Sequence, residues 1–215
     1  MKRTSSVEKL IKLSLISLAL TPLIVTHSTL FPFMFGKAVF IRLMIGVSGV
    51  LFAIGVLGKK KFIRLKLNRL FNPLVIAYVV FISLALLSTF LSHNPFRAFW
   101  GDVERSEGFL ILIYMLLFFL GTLLFFNKKD WLNFFKANLL VGGVVMADVL
   151  IDWLQGGIRP EGSFLDNPAV VSIYALFVLF FALTVSILDK SKLWIYLSGG
   201  IFVASISALF IAGTR

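Results

Sequence analysis

The stretch G-G-I-R-P-E-G-S-F-L-D-N-P-A, residues 156–169, is the longest polar interruption in the last hundred residues, and membrane-length apolar runs flank it on both sides. Its fourteen residues hold one arginine, three glycines, two prolines, two carboxylates and an asparagine. That composition cannot continue either neighbouring helix, so the segment is an ordered turn between two spans. Asn167 followed by Pro168 reads as an N-cap and first helical residue, which leaves the unpaired N–H groups of the next helix pointing back into the loop. A helix N-terminus beside Arg159 is favourable ground for an anion.

Working outward, the apolar runs decide the class. With 59% hydrophobic residues, 14% charged and a mean hydropathy of +0.98, the chain is too apolar for a water-soluble domain. About 20 residues are needed to cross a hydrocarbon core of about 30 Å. Seven runs reach that length, at 10–29, 38–57, 73–91, 108–126, 132–155, 168–188 and 194–213. The expected fold is therefore an all-α integral membrane protein of about seven transmembrane helices, forming one multi-spanning domain over residues 1–215. The first run lacks a clear small-residue cleavage site and is followed by further spans, so it is expected to be retained. The absence of cysteine excludes disulfides, thiolate catalysis and cysteine metal sites, and His27 and His93 stand in no metal-binding spacing. No metal or cofactor is expected.

The net charge of +11 follows the membrane sides and does not call for nucleic acid as a partner. With the N-terminus cytoplasmic, fifteen of the 21 basic residues fall inside, as the positive-inside rule requires. Lys37, Arg42, Arg97, Arg105, Arg159 and Arg215 fall outside. Only three of the fifteen inner cations are arginine, against five of the six outer ones. Lysine suffices as a point charge that holds a loop inside, whereas the planar fork of arginine suits bidentate binding of phosphate or carboxylate. The outer face looks chosen for an anion. The plainer reading pairs these arginines with Asp102, Glu104, Glu107, Glu161 and Asp166.

The loops carry the remaining signals. Residues 27–37 are apolar but broken by Pro32 and Gly36, and Arg42 follows about a turn inside the second span, where it either snorkels or meets a partner. The inner segment K-K-K-F-I-R-L-K-L-N-R, 59–69, reads as an interfacial basic strip on anionic lipid. In residues 92–108, Asn94-Pro95 turns the chain, Phe96, Phe99 and Trp100 suit the headgroup level, and Ser106 and Glu107 suit the cap of the fourth span. Asp148 and Asp152 stand at i and i+4 in the fifth span, hence on one face. Two like charges so close are costly in a low dielectric, so they are expected to face the interior near an arginine.

These motifs resemble the N-terminal half of the O-antigen ligase and polymerase family of membrane glycosyltransferases. The run W-G-D-V-E-R-S-E-G-F at 100–109, after N-P-F-R, is similar to the family's first long outer loop. The run R-P-E-G-S-F-L-D-N-P-A at 159–169 resembles its arginine, glycine and asparagine-proline turn, and A-L-F-I-A-G-T-R at 208–215 resembles the arginine motif that opens its second half. G-K-A-V-F-I-R at 36–42 adds a weaker match.

The resemblance implies metal-independent transfer of a glycan from undecaprenyl diphosphate to a cell-surface acceptor, on the outer face of the cytoplasmic membrane. It implies that Arg159 and Arg215 hold the diphosphate, with Arg105, Arg97 and Arg42 in lesser roles and Asp148, Asp152 and Asn167 in support. It also implies that a further half carrying a large outer loop and its histidine follows Arg215, so neither His27 nor His93 takes that role and the general base is unassigned. The expected partners are a lipid-linked oligosaccharide and membrane lipids. A polymerase joining repeat units satisfies the same residues. A small-solute or ion transporter would rest on the aspartate pair and Arg42, and a non-catalytic scaffold would need none of them.

Overall fold

The computed structural model of the chain describes residues 6–57, 71–102, 108–156, 164–165 and 167–213. Among these residues there is no strand. Eight α-helices follow in order: α1 (Ser6–Ile16), α2 (Phe35–Leu57), α3 (Pro73–Phe90), α4 (Pro95–Trp100), α5 (Phe109–Phe125), α6 (Lys128–Leu154), α7 (Pro168–Leu188) and α8 (Lys192–Ala212). Helix is the expected form, because backbone polar groups in hydrocarbon must be satisfied within their own segment. Five of the described helices, α2, α3, α6, α7 and α8, are long and apolar enough to cross a membrane. The chain is an all-α, multi-pass membrane protein.

Asparagine-proline pairs set three of the helix starts. Asn72 accepts from the Leu74 N–H at 3.0 Å, Asn94 from the Arg97 N–H at 3.0 Å and Asn167 from the Ala169 N–H at 2.8 Å. In each case proline occupies the first helical position, where its missing N–H costs nothing.

Two apolar runs give shorter elements than their length predicts. The run at 10–29 forms α1 only as far as Ile16 and then tightens into a 3₁₀ stretch, Ser17–Leu23. The hydroxyl of Ser14 donates to the Ile11 carbonyl at 2.9 Å and that of Ser17 to the Ser14 carbonyl at 2.8 Å, local bonds that compete with the α ladder. Pro22 then removes an N–H and crowds the preceding turn. The run at 108–126 gives α5, whose 17 residues lie at the lower limit for a span. Its N-cap is Gly108, with no side-chain capping bond; Ser106 and Glu107, the expected caps, lie outside the described residues. Conversely, α6 starts at Lys128, before its apolar run, with Asp130 in the first turn complementing the helix dipole.

The chain divides into two compact units, 1–18 with 28–127, and 19–27 with 128–215. In the first, α1 packs on α2 and α5, while α3 and α4 also pack on α5. Phe52 meets Phe125 edge-on at 6.0 Å, and Tyr78 meets Phe119 at 5.2 Å. Within α1, Glu8 and Lys12 form a largely buried ion pair at 3.0 Å. In the second unit, α6, α7 and α8 form a three-helix packing around Val145, Met146, Val149, Val171, Val178 and Ala208, with Leu23 laid against it. Small residues allow that approach in lipid, where association rests on close packing. A Cβ at Gly142 would stand 2.5 Å from a methyl of Val178.

Candidate functional site

The arginine-bearing turn leaves α6 and enters α7. After Leu154 the chain turns at Gly156, whose φ of 97° is open to glycine and strained for other residues, and whose N–H donates to the Trp153 carbonyl at 3.1 Å. Residues 157–163, with Arg159 and Glu161, lie outside the described residues, as does Asp166. Where the chain is described again, the backbone N–H of Phe164 donates to the Asp148 carboxylate. Phe164 and Leu165 pack against the α6–α7–α8 core. The Asn167 N–H then bonds the Leu165 carbonyl at 2.7 Å, and the Asn167 side chain caps α7.

Asp148 and Asn167 thus fasten the return of this turn to α6 and α7. Asp152 lies one turn beyond Asp148 on the same face, and both aspartates are half-buried. A capped helix start satisfies one of its first N–H groups by side chain and leaves others directed along the axis, out of the helix. Such a terminus is equipped to receive a phosphate or carboxylate.

Of the other candidate cations, Arg97 stands on the short helix α4 and bonds Asp102 twice, from Nε and from a terminal nitrogen, each at 2.7 Å. Both side chains are more than half exposed, and a pair so screened is worth at most about 1 kcal/mol. The expected pairing of Arg97 with an acid is therefore present, and it is weak. Around it Phe99 packs on Phe109 at 6.0 Å, while Phe96 and Trp100 remain exposed as rings suited to an interface. Arg42 is half-buried on α2, and its Nε is buried with no hydrogen-bond partner among the described residues.

The candidate residues therefore fall into three groups. Arg105, Arg159 and Arg215 lie outside the described residues. Arg42 and Arg97 belong to the first unit, on separate helices; Asp148, Asp152 and Asn167 belong to the second, where Asp148 and Asn167 hold one short stretch.

A further polar cluster escaped the sequence reading. Lys136 of α6 forms an ion pair with Asp189 at the end of α7, and its ammonium lies 4.4 Å from the ring centre of Trp194 on α8. The Ser191 N–H donates to the same carboxylate at 2.9 Å. Lys136 and this N–H hold the Asp189 carboxyl below the usual carboxylate range. The signal was a cation inside the apolar run at 132–155, which calls for a partner; counting Lys136 as one more inner charge concealed it.

No family model matches the chain, and neither the curated proteins nor the solved structures compared with it give a match.

Proposed function

We propose that the chain is the carrier-binding membrane part of an O-antigen ligase-like glycosyltransferase. On this reading it crosses the cytoplasmic membrane about seven times, with its N-terminus in the cytoplasm and the 156–169 turn outside. The turn meets a glycan linked to undecaprenyl diphosphate, and the glycan passes to a cell-surface acceptor. The observation that carries the proposal is the built junction at the end of that stretch: a sequence motif that includes Arg159 ends in Asp148 holding Phe164 and Asn167 capping α7.

The chemistry follows from charge. As the bond from the glycan's anomeric carbon to the diphosphate oxygen breaks, negative charge grows on the leaving diphosphate, and the acceptor hydroxyl supplies the new bond and loses its proton. Guanidinium groups of Arg159 and Arg215 and the N–H groups at the α7 start stabilise that charge more in the transition state than in the ground state. A polymerase would use the same carrier chemistry with a second lipid-linked glycan as acceptor.

The test is binding of undecaprenyl diphosphate to the purified full chain in detergent. Arg159→Ala and Arg215→Ala are expected to weaken binding at least tenfold each, the scale of losing a hydrogen bond to a charged group, with helicity and thermal unfolding unchanged. Unchanged affinity in both variants overturns the proposal.

A further inference from the structure

A cleft of about 190 Å³ opens between α1, α2 and α5, bounded by Ile11 of α1, Ile45, Gly49 and Phe52 of α2, and Gly121 and Phe125 of α5. Two glycines lie on its wall: a Cβ at Gly49 would meet nothing within 4 Å, whereas one at Gly121 would stand 3.2 Å from Leu15, so Gly121 lets α1 and α5 pack closely beside the cleft. Ser48, the polar residue on its wall, donates its hydroxyl to the Ile45 carbonyl at 2.7 Å, so its donor is already used. An apolar cavity of about 150 Å³ lined by aliphatic and aromatic side chains stays dry and binds small apolar molecules. Along α2 the cleft runs from Ile45 to Phe52, roughly 10 Å of helix axis. Because α2 is a spanning helix, what enters comes from the bilayer interior.

Arg42 stands on α2 about one turn before Ile45, the first α2 residue on the wall of this cleft. Residues 42, 45, 49 and 52 follow one another along a single helical stripe, and arginine side chains on a helix lean toward its N-terminus, here the Phe35 end. Arg42 has no ion-pair or hydrogen-bond partner among the described residues, and its Nε is buried. A buried guanidinium nitrogen with no acceptor is costly. The nearby Lys37 is already engaged, donating to the Phe33 carbonyl at 2.9 Å and lying over the Phe33 ring.

We infer that Arg42 and the α1–α2–α5 cleft together hold one anionic phospholipid, its phosphodiester on the guanidinium and one acyl chain along Ile45, Gly49 and Phe52. Charge complementarity selects this occupant. A single guanidinium matches the single negative charge of a phosphodiester such as phosphatidylglycerol, whereas a diphosphate brings more charge than one arginine neutralises. The lipid accounts both for a guanidinium with no acceptor among the described residues and for the apolar space beside Gly49. This inference does not rest on the function proposed for the 156–169 stretch.

Native mass spectrometry of the full purified chain tests this, after exchange through detergent containing equal phosphatidylglycerol and phosphatidylethanolamine. The wild type is expected to retain one phosphatidylglycerol in preference to phosphatidylethanolamine. Arg42→Gln should reduce that retention about tenfold, and Gly49→Leu, which fills the cleft and leaves the arginine in place, should reduce it as far. Equal retention of the two lipids by the wild type overturns the inference without any variant. So does retention unchanged in Arg42→Gln, or displacement of the bound lipid by stoichiometric undecaprenyl diphosphate, which would mark the site as the carrier's. Failure here leaves the Arg159 and Arg215 binding test untouched, so the two proposals fail separately.

Discussion

Gly142 shows how much a single hydrogen atom decides in this chain. A methyl group there would stand 2.5 and 2.7 Å from the two γ-methyls of Val178, a β-branched side chain with no easy rotamer in which to retreat. Gly142→Ala should therefore destabilise the α6–α7 contact by about 1–3 kcal/mol through overpacking, outweighing the gain of about 1 kcal/mol in helix propensity. Gly199→Ala, where nothing lies within 4 Å, should lose nothing. Thermal unfolding of both variants in one detergent checks the contrast, and Val178→Ala should restore the first. None of this was legible from the residues: Gly142 and Gly199 look alike in sequence, and the difference lies in what the fold puts opposite each. Asn167 is the reverse case, because the pair Asn167-Pro168 carries its capping geometry in two adjacent letters.

At the scale of elements, apolar runs told where helices lie but not always where they end. The run at 10–29 counts as a span by composition, yet Ser14, Ser17 and Pro22 offer the backbone local alternatives that a hydropathy average does not register. Pairings between helices were hidden for another reason. Spanning helices are apolar all round, so sequence period does not reveal which stripe meets a neighbour. The Lys136–Asp189–Trp194 junction of α6, α7 and α8 is such a pairing. Asp189 has its carboxyl held low by Lys136, so its contribution to stability is present above the ordinary carboxylate value near 4 and is lost as pH falls through the lower folded value. Asp189→Asn should unfold more readily than the wild type at pH 7, with the two melting curves converging below about pH 4. A gap that persists unchanged into acid would show that the charge on Asp189 is not what joins these helices.

For the whole molecule, class and membrane character were legible because composition alone excludes a water-soluble fold, and the five long described helices agree with it. The candidate site was legible only in part. The stretch 156–169 stands out by its polar letters, and of its expected supports Asp148 bonds Phe164 while Asn167 caps α7; Arg159 lies outside the described residues. Arg42 and Arg97, grouped with them by charge, belong to another unit of the chain, where one has a buried Nε with no hydrogen-bond partner among the described residues and the other pairs with Asp102. Counting arginines per membrane side cannot distinguish these roles, because it registers charge and not neighbours.

The claim on which the proposed function turns is that the guanidinium of Arg159, in the 156–169 stretch, meets its anion outside the cytoplasmic membrane. The chain has no cysteine, so single cysteines report sidedness without background. In intact cells a membrane-impermeant maleimide should modify Ser163→Cys and leave Lys60→Cys unmodified until the membrane is permeabilised. Protection of Ser163→Cys in intact cells, with reaction only after permeabilisation, would put the arginine turn in the cytosol and contradict the account.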